Sequence, residues 1–165
     1  MLLWALSLVF PVVMILSMLS DLRTFEIPNR LPLALVVGYP LAALSAGLSW
    51  QPQLWAFALG GLMLVIAVIM FVLGLMGGGD GKLLAAAAIW TGPERVLDFL
   101  IATALAGGIL ALALLVFRRL PLAAGLSSFP TMRRLHAEKR DVPYAVAIGG
   151  AGLVIYPQLP ILSQF

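Results

Sequence analysis

Seven carboxylates and one histidine are nearly all that this 165-residue sequence offers for acid–base or metal chemistry. Cys is absent, which excludes a thiolate nucleophile, a thiolate zinc site and a disulfide framework. The acids are Asp21, Glu26, Asp80, Glu94, Asp98, Glu138 and Asp141. Asp80 is the one out of place. It stands in GLMGGGDGKLLAA (74–86), directly after a stretch from Leu54 to Met76 that carries no charge. An ionisable group at the rim of such a stretch is costly near lipid and tends to be functional.

The glycines before Asp80 invite a phosphate-binding reading, which the spacing rejects. A P-loop needs Gly at 76 and Ser or Thr at 83, where the chain has Met76 and Leu83. The dinucleotide pattern from Gly77 needs Gly at 82, which is Lys82. Two readings remain. Gly77–Gly79 is a flexible turn with Asp80 as a helix N-cap. Alternatively, the glycines let an extended substrate backbone approach closely, with Asp80 beside it. One carboxylate rarely hydrolyses a peptide alone. Two aspartates that share a proton can do so, one as general base on a water and the other as general acid on the scissile carbonyl. Such a pair needs no metal, no cofactor and no Ser or Cys nucleophile.

The elements that must position the pair follow from hydropathy. Hydrophobic residues make up 62% of the chain, charged residues 10%, and mean hydropathy is +1.09. Soluble domains carry about 25% charged residues, so an all-α integral membrane protein is expected, small enough for one domain over 1–165. A span needs about 20 apolar residues. Six are expected, over about 2–20, 31–49, 54–76, 79–91, 96–117 and 143–162. The first lacks the basic region and cleavage site of a signal peptide and reads as a retained helix. The fourth is short, since the 14 residues from Gly79 to Gly92 give a helix of about 21 Å. That brings Asp80 to the boundary between hydrocarbon and water.

Charge sets the orientation. Arg23, Arg30, Lys82, Arg118, Arg119, Arg133, Arg134, Lys139 and Arg140 fall on one side of a six-span arrangement, and Arg95 alone on the other. The positive-inside rule makes the first side cytoplasmic and puts both termini outside. These basic residues answer to topology and anionic lipid, the 118–141 loop above all, and give no reason to expect nucleic acid. Glu94 and Asp98 fall on the side away from Asp80. Glu138 and Asp141 sit among basic residues and read as local charge pairs, and His136 as a surface residue of the same loop. Glu26 lies five residues beyond the end of the first span. Asp21 ends that span at the depth of Asp80, although a polar residue at a helix end is common in membrane proteins.

Asp21 followed by IPN (27–29), GGGD (77–80) followed by Lys82 and LLAA, and VPYAVAIGG (142–150) together resemble the bacterial type IV prepilin peptidases, in particular the short form serving tight-adherence (Flp-type) pili. The G-x-G-D signature is shared with archaeal preflagellin peptidases, presenilin and signal peptide peptidase. The resemblance implies that Asp21 and Asp80 are the catalytic pair, that Gly77 and Gly79 shape the Asp80 site, and that Lys82 supports it. Lys82 would either anchor the helix start at the headgroups or bias the carboxylate nearby. The implied substrate is a prepilin, cut at the cytoplasmic face of the inner membrane. Longer members also methylate the product and carry a domain with two Cys-x-x-Cys pairs. With a connection of about ten residues after the first span and no Cys, no methyltransferase domain is expected. The alternative is a transporter or pilus-assembly scaffold in which Asp80 binds a cation or proton.

Overall fold

The computed structural model describes residues 2–119, 136 and 142–162. These are all-helical: α1 (Leu2–Ser7), α2 (Val9–Thr24), α3 (Arg30–Ser45), α4 (Trp50–Val72), α5 (Gly78–Arg119), α6 (Tyr144–Ile155) and a closing 3-10 turn, Tyr156–Gln158. Three stretches are long and apolar enough to cross a membrane: Ala5–Thr24, Trp50–Val72 and Gly78–Arg119. Most of the basic 118–141 loop, with Arg133, Arg134, Lys139 and Arg140, lies outside the described residues.

Proline and glycine set the boundaries that hydropathy misses. The first expected helix is divided at Leu8, because Pro11 has no N–H for the Ser7 carbonyl. It then runs one turn further than expected, to Thr24, where Phe25 turns left-handed (φ 55°). Asp21 is therefore inside the last turn rather than at the helix end. The third expected helix begins and stops earlier than 54–76. Gly74 takes φ 72°, its N–H bonds Phe71 O at 2.9 Å and Leu75 N–H bonds Met70 O at 2.8 Å. That paired pattern is a Schellman stop, and it frees residues 75–77 from the helix. The last expected helix is shortened to 12 residues by Pro157.

α5 comprises both the fourth and the fifth expected helices, two helical stretches that meet without a loop at a non-helical Gly92 (φ 61°, ψ 177°), followed by Pro93. Its parts, 78–91 and 93–119, run in opposite senses through the bundle, as their contacts show. At one end of the bundle, Trp90 donates to Leu35 O at 2.9 Å and packs on Phe10 and Tyr39, Phe10 stacks on Tyr156, and Gly92 adjoins Pro160. At the other end, Asp21 meets Ala145, Lys82 meets Asn29, Phe71 lies over Gly78, and Gly107 underlies Tyr144.

The core between them is apolar and small-residue rich. Ala85–Trp90 is buried throughout, packed by Phe10, Met14, Leu35, Tyr39 and Ile148. Close approach through small residues is how helices associate where lipid removes the hydrophobic drive between them. Outward faces stay greasy: Leu62, Val65, Ile69 and Val72 on α4, and Leu97, Ile101, Leu105 and Leu112 on α5, are all exposed. Lipid, not water, is the solvent that such a surface fits.

Candidate active site

Asp21 and Asp80 reach the same end of the bundle from different elements. Asp21 rides on the buried face of α2 with Phe10, Met14 and Ser17, and is only 5% exposed. Its Oδ2 accepts a hydrogen bond from the Ala145 N–H at 2.9 Å. Ala145 is the second residue of α6. Its own N-cap, Pro143, offers no side-chain bond, so the carboxylate from α2 supplies the missing cap.

Asp80 is half-buried in the first turn of α5, third in that helix rather than at its N-cap. The N–H groups of a first helical turn favour a carboxylate there. Gly77 explains the tight fit: a Cβ at 77 would come within 2.7 Å of Asp80 Oδ2. At Gly79 a Cβ would stand 3.2 Å from Ile27 Cβ. Gly78 faces only Phe71 at ordinary contact distance, so the middle position of the G-x-G is the tolerant one. The two outer glycines therefore have separate jobs, one making room for the carboxylate and the other for the 25–29 connection.

Lys82 turns toward the connection between α2 and α3. Its Nζ donates to Asn29 Oδ1 at 3.0 Å and ties the start of α5 to the IPN segment. Glu26 offers its backbone carbonyl to Ser20 Oγ at 2.8 Å.

Both aspartates line a cavity of about 520 Å³ whose other walls include Phe25, Met70, Leu75, Met76 and Tyr144. A second cavity of about 300 Å³ also opens on both aspartates, and there the walls are Glu26, Asn29, Lys82 and the three glycines. The pair thus stands where the two cavities meet, the first having more large apolar side chains in its walls than the second. Glu94 and Asp98 are at the far end of the bundle, where Asp98 pairs with Arg95 at 3.1 Å. Among the described residues, no three of His, Cys, Asp and Glu come together as metal ligands. Two residues that sequence reasoning missed contribute to the site. Ala145 does so by its amide, and its only signal was a helix start after Pro143 with no capping side chain. Asn29 does so by its amide oxygen, within the IPN already noted.

Two acids sharing one cleft at one end of a bundle of apolar helices suit either acid–base hydrolysis or cation or proton binding. The sequence matches the model of the type IV leader peptidase family over residues 8–112, more than half of its length, and the chain belongs to that family. Its activity is accordingly that of an aspartic prepilin peptidase. The match ends before α6. No individual curated protein and no solved structure matches the chain. Family membership favours the peptidase over a transporter or scaffold using Asp80 for cation or proton binding.

Proposed function

We propose that Asp21 and Asp80 together cleave the leader from Flp-type prepilins at the cytoplasmic face of the inner membrane. The observation that carries this reading is the shared cavity, lined by two carboxylates from separate helices. In the reaction, the ionised member takes a proton from water. That water's oxygen bonds the scissile carbonyl carbon while the protonated member gives its proton to the carbonyl oxygen. As the resulting diol collapses and the C–N bond breaks, the protonated carboxyl gives its proton to the leaving nitrogen and the other carboxylate takes the proton of a diol hydroxyl. The pair returns to one shared proton.

The orientation rests on the basic residues. Arg23, Arg30 and Lys82 lie at or near the aspartate end, and Arg95 lies at the other. The positive-inside rule makes the aspartate end cytoplasmic in a six-span arrangement, with the N-terminus outside. The basic 118–141 segment is suited to anionic lipid on that face. Methyl transfer is not part of this reading, because the chain has no Cys for the paired Cys-x-x-Cys motifs. Co-expression with an Flp-type prepilin, followed by mass measurement of the pilin, tests substrate choice. Loss of the leader mass is expected. An uncut Flp-type prepilin beside a cut prepilin of another type would overturn the subtype.

A further inference from the structure

Asp21 sits in the last turn of α2, where the free backbone carbonyls disfavour a carboxylate. The first turn of α6 offsets this. Its amides are donors without intrahelical partners, and Ala145 N–H reaches Asp21 Oδ2 at 2.9 Å. Ala145 is fully buried, as is Pro143 before it. The ring of Tyr144 rests on Gly107 of α5, where a Cβ would come within 2.9 Å of Tyr144 Oη. Proline, ring and amide together fix the place of this turn. With Oδ2 occupied, the carboxylate plane is set and Oδ1 is the oxygen left for water or substrate.

We propose that Ala145 is a positioning residue of the peptidase reaction, acting through its backbone N–H on Asp21. The first turn of α6, beyond the family match, is then a working part of the active site. The inference rests on the reading of Asp21 as catalytic. A methyl side chain carries no chemistry, so the contribution is invisible to any inspection of residue types.

The test replaces Ala145 by its α-hydroxy analogue, which turns one peptide N–H into an ester oxygen and alters no side chain. Since that N–H makes no helical bond, the helix keeps its ladder. Removing a hydrogen bond to a charged group is expected to lower kcat by about 10- to 100-fold, with KM changing less than about 2-fold. Ala145→Gly retains the N–H and should stay within about 3-fold of the unaltered enzyme. Unchanged kcat in the ester form overturns the proposal, and so does an equal loss in Ala145→Gly. A second reading needs no ester: the Ala145 amide should exchange slowly with solvent and become fast in Asp21→Ala. Unaltered exchange also overturns it. Asp21→Asn is assayed in parallel. If that variant cleaves normally, the assignment of Asp21 itself fails. If it is inactive while the ester form is fully active, only the positioning role fails.

Discussion

The two carboxylates are held by opposite means. Asp21 is almost fully buried and fixed by a bond, the 2.9 Å contact from the Ala145 amide. Asp80 is half-buried and fixed by a space, the volume that Gly77 leaves empty beside Oδ2. The bond depends on the packing of α2 on α6, elements far apart in sequence. The space depends on one missing methyl group three residues away. The first arrangement resists local change at its own helix, and the second is exposed to a single substitution. The proposed pair therefore has one member held by a hydrogen bond and one whose place is set by a glycine-rich helix entrance.

Gly77→Ala is the sharpest way to break that contrast. The new Cβ would meet the Asp80 carboxylate itself, an easily rotated group, so the fold should survive while the acid is displaced. Activity is expected to fall about 100-fold, the size of effect that misplacing a reacting group by an ångström produces. Melting of the detergent-solubilised protein should hardly change. Gly79→Ala should act less strongly. Its Cβ meets Ile27 at 3.2 Å, so the connection shifts by tenths of an ångström and Asp80 only indirectly. A loss of about 10-fold is expected. If peptide kinetics rank the two in the reverse order, Asp80 is not held by the space at Gly77.

A third substitution separates helix-stopping from catalysis. Gly74 has φ 72° and open space where a Cβ would go. Gly74→Ala should therefore cost about 1 kcal/mol of stability from the left-handed backbone alone. Chemical denaturation in micelles measures it, and an unchanged midpoint would mean that α4 can stop elsewhere. The smallest effect belongs to Lys82. Its bond to Asn29 is exposed, so Lys82→Met and Asn29→Ala should each lower activity by only about 3-fold, and the double variant by no more. Additive losses would show that Lys82 acts on something other than Asn29.

Much of this site was legible in the sequence because its signals are local. Asp80 declares itself by following an uncharged stretch, and Gly77 and Gly79 stand beside it. The break at Gly92–Pro93 is visible as a short apolar segment. The rest was not legible, for physical reasons. The stop at Gly74 is set by backbone φ in a stretch as greasy as the helix before it, so hydropathy runs on to Met76. The extra turn of α2 that draws Asp21 inward is likewise a backbone event, closed by Phe25. The bond from Lys82 to Asn29 was not legible either, because nothing in the neighbourhood of Lys82 marks an acceptor 53 residues away. The Asp21–Ala145 bond joins a carboxylate to a main-chain amide 124 residues away, and only tertiary packing makes that pair.

The central claim is that the two aspartates act in one chemical step. Single-turnover cleavage of a prepilin by Asp21→Asn, Asp80→Asn and the double variant tests it most directly, with membrane insertion checked for each. Each single change should lower the rate by about 10²- to 10⁴-fold, the range for loss of a general acid or base. The double variant should be hardly slower than either, since groups that act as a unit are lost together. Full leader removal by either single variant would contradict the account.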